Sequence, residues 1–361
     1  MTKVSYIINL SYKDGYVPMD ILTERQNKIL DLIMDNYITA AEPIGSRTIS
    51  KRMKNKVSSA TIRNIMSDLE ELGFLYKPHA VAGRVPTHKA FRYYVNSLSS
   101  LMVPGKKELK VLESFARPRY SYVEEIIEDA SKTLASISQY TSIVIEPKVN
   151  TMLFKEVEFV KLSKYTILIV FITSSGMLHK RIVHTDEELG INVLNEMKWY
   201  MNEKFSGVPF YVLRDGILGD VRQDKEIFNN LYAKIRDTLD AIIDEKNKRE
   251  VYIEGTSKMI GVPEFSDLER LKELFQTLEK KEKLIKLLDS CLREDGISII
   301  MGHENDMKEM RGMSIISSPY QVGEDSYGFL GVIGPIRMNY SRIIPIVNYT
   351  AKTVTDILRM M

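Results

Sequence analysis

Residues Val57–Pro86, VSSATIRNIMSDLEELGFLYKPHAVAGRVP, constrain the fold more than any other stretch of this chain. Ile62, Ile65, Met66, Leu69 and Leu72 recur at helical spacing and mark a buried face. Ser58 or Ser59 can cap the helix start, because a hydroxyl accepts from the first free backbone amides. Gly73 suits the left-handed position that closes a helix. The other face carries Ser59, Thr61, Arg63, Asn64, Ser67, Asp68 and Glu71: hydroxyl, amide and guanidinium first, acid later. Phe74-Leu75-Tyr76 is β-prone. Lys77 and Arg84 flank the turn of a basic hairpin, for which Gly83 supplies the turn conformation and Pro86 the end. A second short helix, Ser46–Met53, lies upstream. Two helices, a tight turn and a basic wing make a body that docks into a DNA major groove. Entry is by the N-terminal half of the second helix, where acids are absent and the helix dipole favours phosphate.

Charge supports that placement. Residues 45–92 hold ten Lys and Arg against three acids, a net charge of +7. The whole chain has 50 basic and 48 acidic residues, so the remainder holds 40 against 45 and is −5. A basic module on a mildly acidic body suggests a nucleic-acid partner, and a solvated basic surface is the alternative.

A chain of 361 residues, 44% hydrophobic, has room for two or three domains and a sizeable core. One cysteine, Cys291, excludes intramolecular disulfides and argues for a reducing compartment. Leu287, Leu288 and Leu292 around it suggest a buried thiol rather than a nucleophile. No run reaches the length of a membrane helix, and the first 20 residues lack a signal-peptide pattern, so a cytoplasmic protein is expected.

Thr23-Glu24-Arg25-Gln26 is a capping box opening a helix to about Tyr37. Helical patterns at His88–Leu101, Lys107–Ala116 and Ser121–Gln139 read as a bridge into a second domain. From Thr141 the period changes. Ser142–Glu146, Lys155–Leu162, Thr166–Thr173 and Gly176–His184 read as strands, followed by helices Glu187–Phe205 and Asp224–Lys246. Val251–Glu254 reads as a strand and Ser266–Arg293 as one long helix. Strands at Gly296–Gly302, Met313–Tyr320 and Tyr327–Ile333 precede a closing helix, Asn339–Leu358. Strands, a helical block and strands again imply a sheet domain with an insertion at about 187–250.

The segments LTERQNKILDLIMDNYITAAEPIGSRTIS, SSATIRNIMSDLEELGFLYKPHAVAGRVPTHKAFRYYV and GFLGVIGPIRMNYSRIIPIVNYTA resemble the HrcA family, the heat-inducible repressors that act at the CIRCE operator. The resemblance runs from about Leu22 to the C-terminus, and residues 1–21 read as an extension or as the product of a mis-set start. It implies an α+β multidomain protein. A winged helix-turn-helix at 22–100 is followed by a GAF-like α/β sheet domain at 101–186 and 251–361, and 187–250 form a mainly helical dimerisation domain inserted in it. It also implies a homodimer that represses chaperone operons at an inverted-repeat operator, helped by a GroEL-type chaperonin. By the same resemblance Ser58, Ser59, Thr61, Arg63 and Asn64 face the groove, Arg suiting guanine and Asn adenine. Lys51, Arg52, Lys54 and Lys56 are phosphate contacts, with a solvated face as the alternative. Arg47 and Thr48 position the DNA backbone, and Lys77 and Arg84 serve the wing.

Little points to catalysis. His79, His88, His179, His184 and His303 share no convincing metal-ligand spacing, and no cofactor is expected. Leu268, Leu271, Phe275, Leu278, Glu282, Ile285 and Leu288 fit either a coiled-coil seam or, preferably, an amphipathic helix on a sheet. A small-molecule-sensing regulator using the GAF-like domain is the first rival function. An enzyme carrying a winged helix is the second.

Overall fold

In the computed structural model Thr23 and Gln26 close the expected capping box. Thr23 Oγ1 accepts from Gln26 N at 3.3 Å, and Thr23 N donates to Gln26 Oε1 at 2.9 Å. The structure describes residues 21–54, 56–79, 83–98, 103–117, 120–147, 152–219, 233–240, 249–260, 262, 268–289, 296–304, 310–323 and 326–360. Residues 1–20 of the expected N-terminal extension, the wing residues 80–82, Cys291 and most of the expected helix Asp224–Lys246 lie outside them. No helix among the described residues is long and apolar enough to cross a membrane.

Helix α1 (Glu24–Ala40) buries Ile29, Leu30, Ile33 and Met34. Helix α2 spans Ser46–Arg52 and α3 spans Ser59–Glu71, whose Ile62, Ile65, Met66 and Leu69 are the buried stripe that its spacing requires. Gly73 adopts φ +78° after α3, and Phe74 N donates back to Leu69 O at 2.8 Å, closing the helix as expected. Strands β1 (Leu75–Tyr76) and β2 (Val85–Pro86) pair antiparallel, and Ile44 and Arg84 exchange backbone hydrogen bonds of 2.9 and 2.8 Å. Gly83 serves a different purpose from the expected turn. It is absent from the positive-φ glycines, but a Cβ there would lie 2.4 Å from Ile44 O. Close backbone approach is what demands glycine. Helix α4 (His88–Ser97) follows.

The body begins with α5 (Lys106–Phe115) and α6 (Val123–Ser138). Strands β3 (Thr141–Ile145), β7 (Val251–Glu254), β8 (Ser298–Met301), β9 (Met313–Val322) and β10 (Ser326–Pro335) form an antiparallel sheet in the order β7-β3-β10-β9-β8. Its two faces lie in separate apolar clusters. Val144, Ile316 and Val332 join residues of α6 and of the closing helix α12 (Tyr340–Leu358). Ile143, Ile145, Ile315 and Ile333 meet Leu271, Leu274, Leu278, Leu284 and Ile285 on the opposite side. A strand buried on both faces reads as a continuous apolar run, as TSIVI does at β3. The expected long helix is two helices, α10 (Leu268–Glu279) and α11 (Lys281–Asp289), and both rest on the sheet, as the preferred amphipathic reading required.

Strands β4 (Phe154–Ser163), β5 (Thr166–Thr173) and β6 (Leu178–His184) form a separate three-stranded sheet. The chain leaves the large sheet after Ile145 and re-enters it at Val251, whose strand pairs directly with β3. The excursion therefore starts near 146, before β4, and not at 187. Alternation identifies a strand but not its partner, so the sequence pattern does not separate these three strands from the large sheet. Helices α7 (Ile191–Phe205), α8 (Phe210–Gly219) and α9 (233–240) complete this unit, and α8 was not anticipated. Asn202 of α7 seals the β4 edge, its Oδ1 accepting from Val157 N at 2.8 Å.

Candidate nucleic-acid interface

The N-terminal end of α3 is presented by α2 and a fixed turn. Ser50 Oγ donates to Val57 O at 2.9 Å. Ser59 Oγ lies 3.1 Å from Ser46 Oγ and ties the first turns of α2 and α3 together. Ser58 is the cap: its Oγ accepts from Thr61 N at 3.1 Å and meets Thr61 Oγ1 at 2.8 Å. These hydroxyls have internal partners, and Ser59 and Thr61 are only half-exposed. Arg63 and Asn64 are exposed one turn into the helix and have no polar partner among the described residues.

Arg47, Thr48 and Lys51 also stand exposed on α2, Lys54 and Lys56 on the connector, and Lys77 beyond β1. None of these cations has an acidic partner among the described residues. Exposed cations without acidic partners, in a module whose α3 starts free of acids, suit a polyanion.

Four of the ten basic residues in 45–92 are engaged elsewhere. Arg52 packs back on α1, its Nε and Nη2 facing the Asn36 amide, whose oxygen accepts from them at 2.8 and 3.1 Å when the amide is turned to satisfy both groups. Arg84, expected as a free wing contact, is half-buried with Nε 2.7 Å from Glu70 Oε2. The two are close without an aligned N–H···O hydrogen bond, so the contact is chiefly charge on charge. It braces the wing against the last turns of α3. Lys89 Nζ donates to Leu72 O at 2.8 Å and stands 4.6 Å from the Phe74 ring centre. Arg92 is buried against the body, where its Nε donates to Glu304 Oε1 at 2.8 Å.

This geometry matches residues 21–98, which fit the model of the winged helix-turn-helix transcription repressor, HrcA DNA-binding domain. Residues 124–344 fit that of the HrcA protein C-terminal domain. A heat-inducible transcription repressor HrcA of Geobacter sulfurreducens is 40% identical over 344 residues, spanning 94% of this chain and 99% of the relative. One of Syntrophobacter fumaroxidans is 36% identical over 342 residues, spanning 94% and 98%. The chain belongs to the HrcA family.

A crystal structure described only as that of a hypothetical protein shares this HrcA-family fold with TM-score 0.60. It is 22% identical, and the match covers 94% of this chain and 99% of that one. HrcA relatives are heat-inducible transcription repressors by name, and catalysis has no place in that assignment. Two residues that support the interface escaped the reading of the sequence. Thr87 caps α4 and its Oγ1 donates to Gly73 O at 2.7 Å and Phe74 O at 3.1 Å, holding the end of α3. Lys89 does the same through Leu72. A Thr directly after Pro86 at a helix start was the available signal.

Proposed function

We propose that this chain represses chaperone operons by binding an inverted-repeat operator as a homodimer, each winged helix reading one half-site. The observation that carries the reading is the exposed, unpartnered pair Arg63 and Asn64 at an acid-free helix start, in a module whose Arg47, Lys51, Lys54, Lys56 and Lys77 are also exposed. Arg63 and Asn64 contact bases, and the surrounding cations contact phosphates. The five-stranded antiparallel sheet between two helical layers supports the GAF-like assignment of the body.

The three-stranded unit, about 146–250, supports the dimer. One face of its sheet packs on α7 to α9 through Val157, Ile167, Ile169 and Phe171. The other face is open. Val160, Leu168 and Ile182 lie in one row straight across the strands, with Val160 46% and Ile182 57% exposed. Leu162, 50% exposed, extends the patch. The next row on this face is Glu158, Val170 and Lys180, and an apolar row flanked by opposite charges fits a second copy of itself across a two-fold axis. Heat and chaperonin act on the supply of competent dimer: a GroEL-type chaperonin sustains it, and heat depletes it in the cytoplasm.

Footprinting with purified protein on DNA upstream of chaperone genes, together with light scattering, tests this. Both halves of an inverted repeat should be protected by a species of twice the chain mass. Protection of a single half-site by a monomer would overturn the dimeric reading. Equal binding before and after heating, with and without chaperonin, would overturn the proposed control.

A further inference from the structure

Helix α4 touches both the recognition helix and the body within its first turns. On one side lie the clamps on the end of α3. Thr87 Oγ1 donates to Gly73 O and Phe74 O, and Lys89 Nζ donates to Leu72 O at 2.8 Å. Leu72 is the C-cap of α3, so a cation at its carbonyl matches the negative end of the helix dipole, while Thr87 holds the turn that follows.

On the other side lies a latch to the end of β8. The Arg92 side chain is 5% exposed. Its Nε donates to Glu304 Oε1 at 2.8 Å, and its Nη2 donates to Ile299 O at 3.0 Å and to Glu304 Oε2. Glu304 Oε2 also accepts from Met301 N at 3.0 Å, which fixes the carboxylate on its own corner. The His88 and His303 rings stack beside it, 4.1 Å between centres and tilted by 32°. The corner is built for close approach. A Cβ on Gly302 would lie 1.6 Å from Met310 O, so no other residue fits this backbone path.

A planar guanidinium held by two carboxylate oxygens and a carbonyl admits few orientations. Thr87, His88, Lys89 and Arg92 share five consecutive helical positions and their cap. A shift of β8 and of the 302–304 corner that follows it must therefore move α4, and with it the end of α3. A repressor with two reading heads needs those heads at a set spacing, because the second contact gains from the first only when geometry permits both.

We propose that Arg92 and Glu304 are positioning residues for operator binding, and that α4 carries the orientation of the body's 299–304 corner to the recognition helix through Lys89 and Thr87. This rests on the operator-binding reading above. Neither Arg92 nor Glu304 touches DNA. Their task is to set the angle at which Arg63 and Asn64 are offered, and the corner is the point at which events in the body reach the reading head.

Glu304→Gln and Lys89→Met cut the two ends of the path. Each is compared with the wild-type protein by titration against the footprinted two-half-site fragment, against a single half-site and against unrelated duplex, and by hydrogen exchange. Glu304→Gln should lose at least tenfold in affinity for the two-half-site fragment, with single-site and unrelated-duplex binding within about twofold of wild type. Its amides at 88–97 and 72–76 should exchange faster, with β9 and β10 unchanged. Lys89→Met should lose operator affinity and quicken exchange at 72–76 while leaving 299–304 as in the wild type. Wild-type operator affinity in Glu304→Gln would overturn the proposal. So would faster exchange throughout β9 and β10, which would mean general loosening. If the wild-type protein protected no operator at all, the functional reading would fall, and exchange at 72–76 in Glu304→Gln would still decide the coupling.

Discussion

Arg63 and Lys56 are both exposed cations near the start of α3, but they stand in different chemical settings. Arg63 lies on the helix itself, one turn in, and in the proposed complex its fork of donors would reach base edges. Lys56 lies on the connector, and in that complex its point charge would meet phosphate. Arg63→Ala should cost about 1–3 kcal/mol and relax preference at one base pair, whereas Lys56→Ala should weaken binding to every sequence and lower the salt slope by about one. Anisotropy titrations at several salt concentrations, on the operator and on its single-base variants, separate the two. Identical behaviour would refute the division into base and phosphate contacts. Arg63 was legible in the sequence because helical spacing alone turns it away from Ile62, Ile65 and Met66. Arg84 was not. Its partner Glu70 is an acid that the sequence placed simply away from phosphate, and only the folded wing brings the two to 2.7 Å. Arg84→Met should therefore loosen the wing without lowering the salt slope as Lys56→Ala does.

At the scale of elements, whatever is encoded within one or two turns was readable. The Thr23 capping box, the Ser58 cap, Gly73 beyond α3 and the apolar stripes of α3 and α6 stand where local chemistry puts them. Partnership was not readable. β4, β5 and β6 alternate as strands in any antiparallel sheet do, and nothing local says that β3 pairs with β7 more than a hundred residues on. The break at Lys280 was hidden for a related reason, since both α10 and α11 keep apolar spacing across it. Gly83 shows the same limit. Its need for glycine comes from Ile44, a residue of another segment. Gly83→Ala would press a methyl into Ile44 O, at 2.4 Å before any shift, and the backbone bridge to Arg84 would have to yield. The expected cost is roughly 1–3 kcal/mol, the range for forced overpacking, read as a lower melting temperature of the module. A turn requirement alone would spare Gly83→Ala, since its φ is not positive.

At the scale of the whole molecule, the joint between reading head and body and the open sheet face would set how two chains of the proposed dimer act together. The joint is sensitive to acid. Burial holds His88 and His303 below the ordinary imidazole range; Glu304 pulls both upward, while His88 and Arg92 push His303 further down. Because the folded values lie below the unfolded one, the unfolded chain binds more protons in between. The stack's contribution is then complete above about pH 6.5 and is lost as pH falls toward the folded values. Melting temperature should drop on acidification through that window, and His303→Gln should flatten the drop. The open face makes the opposite demand, since its apolar row is indifferent to pH but intolerant of charge. Ile182 stands 57% exposed at one end of the row formed with Val160 and Leu168. A carboxylate there costs little in a monomer, because water still reaches it, yet would be stripped of water against a second copy. Ile182→Glu should thus leave the melting of the dilute monomer nearly unchanged while halving the mass seen by light scattering. Operator affinity should fall to that of one half-site, as the joint still holds each head correctly but no second head is tethered beside it. A dimer that survived Ile182→Glu, or a monomer that kept full operator affinity, would show that the two copies meet elsewhere.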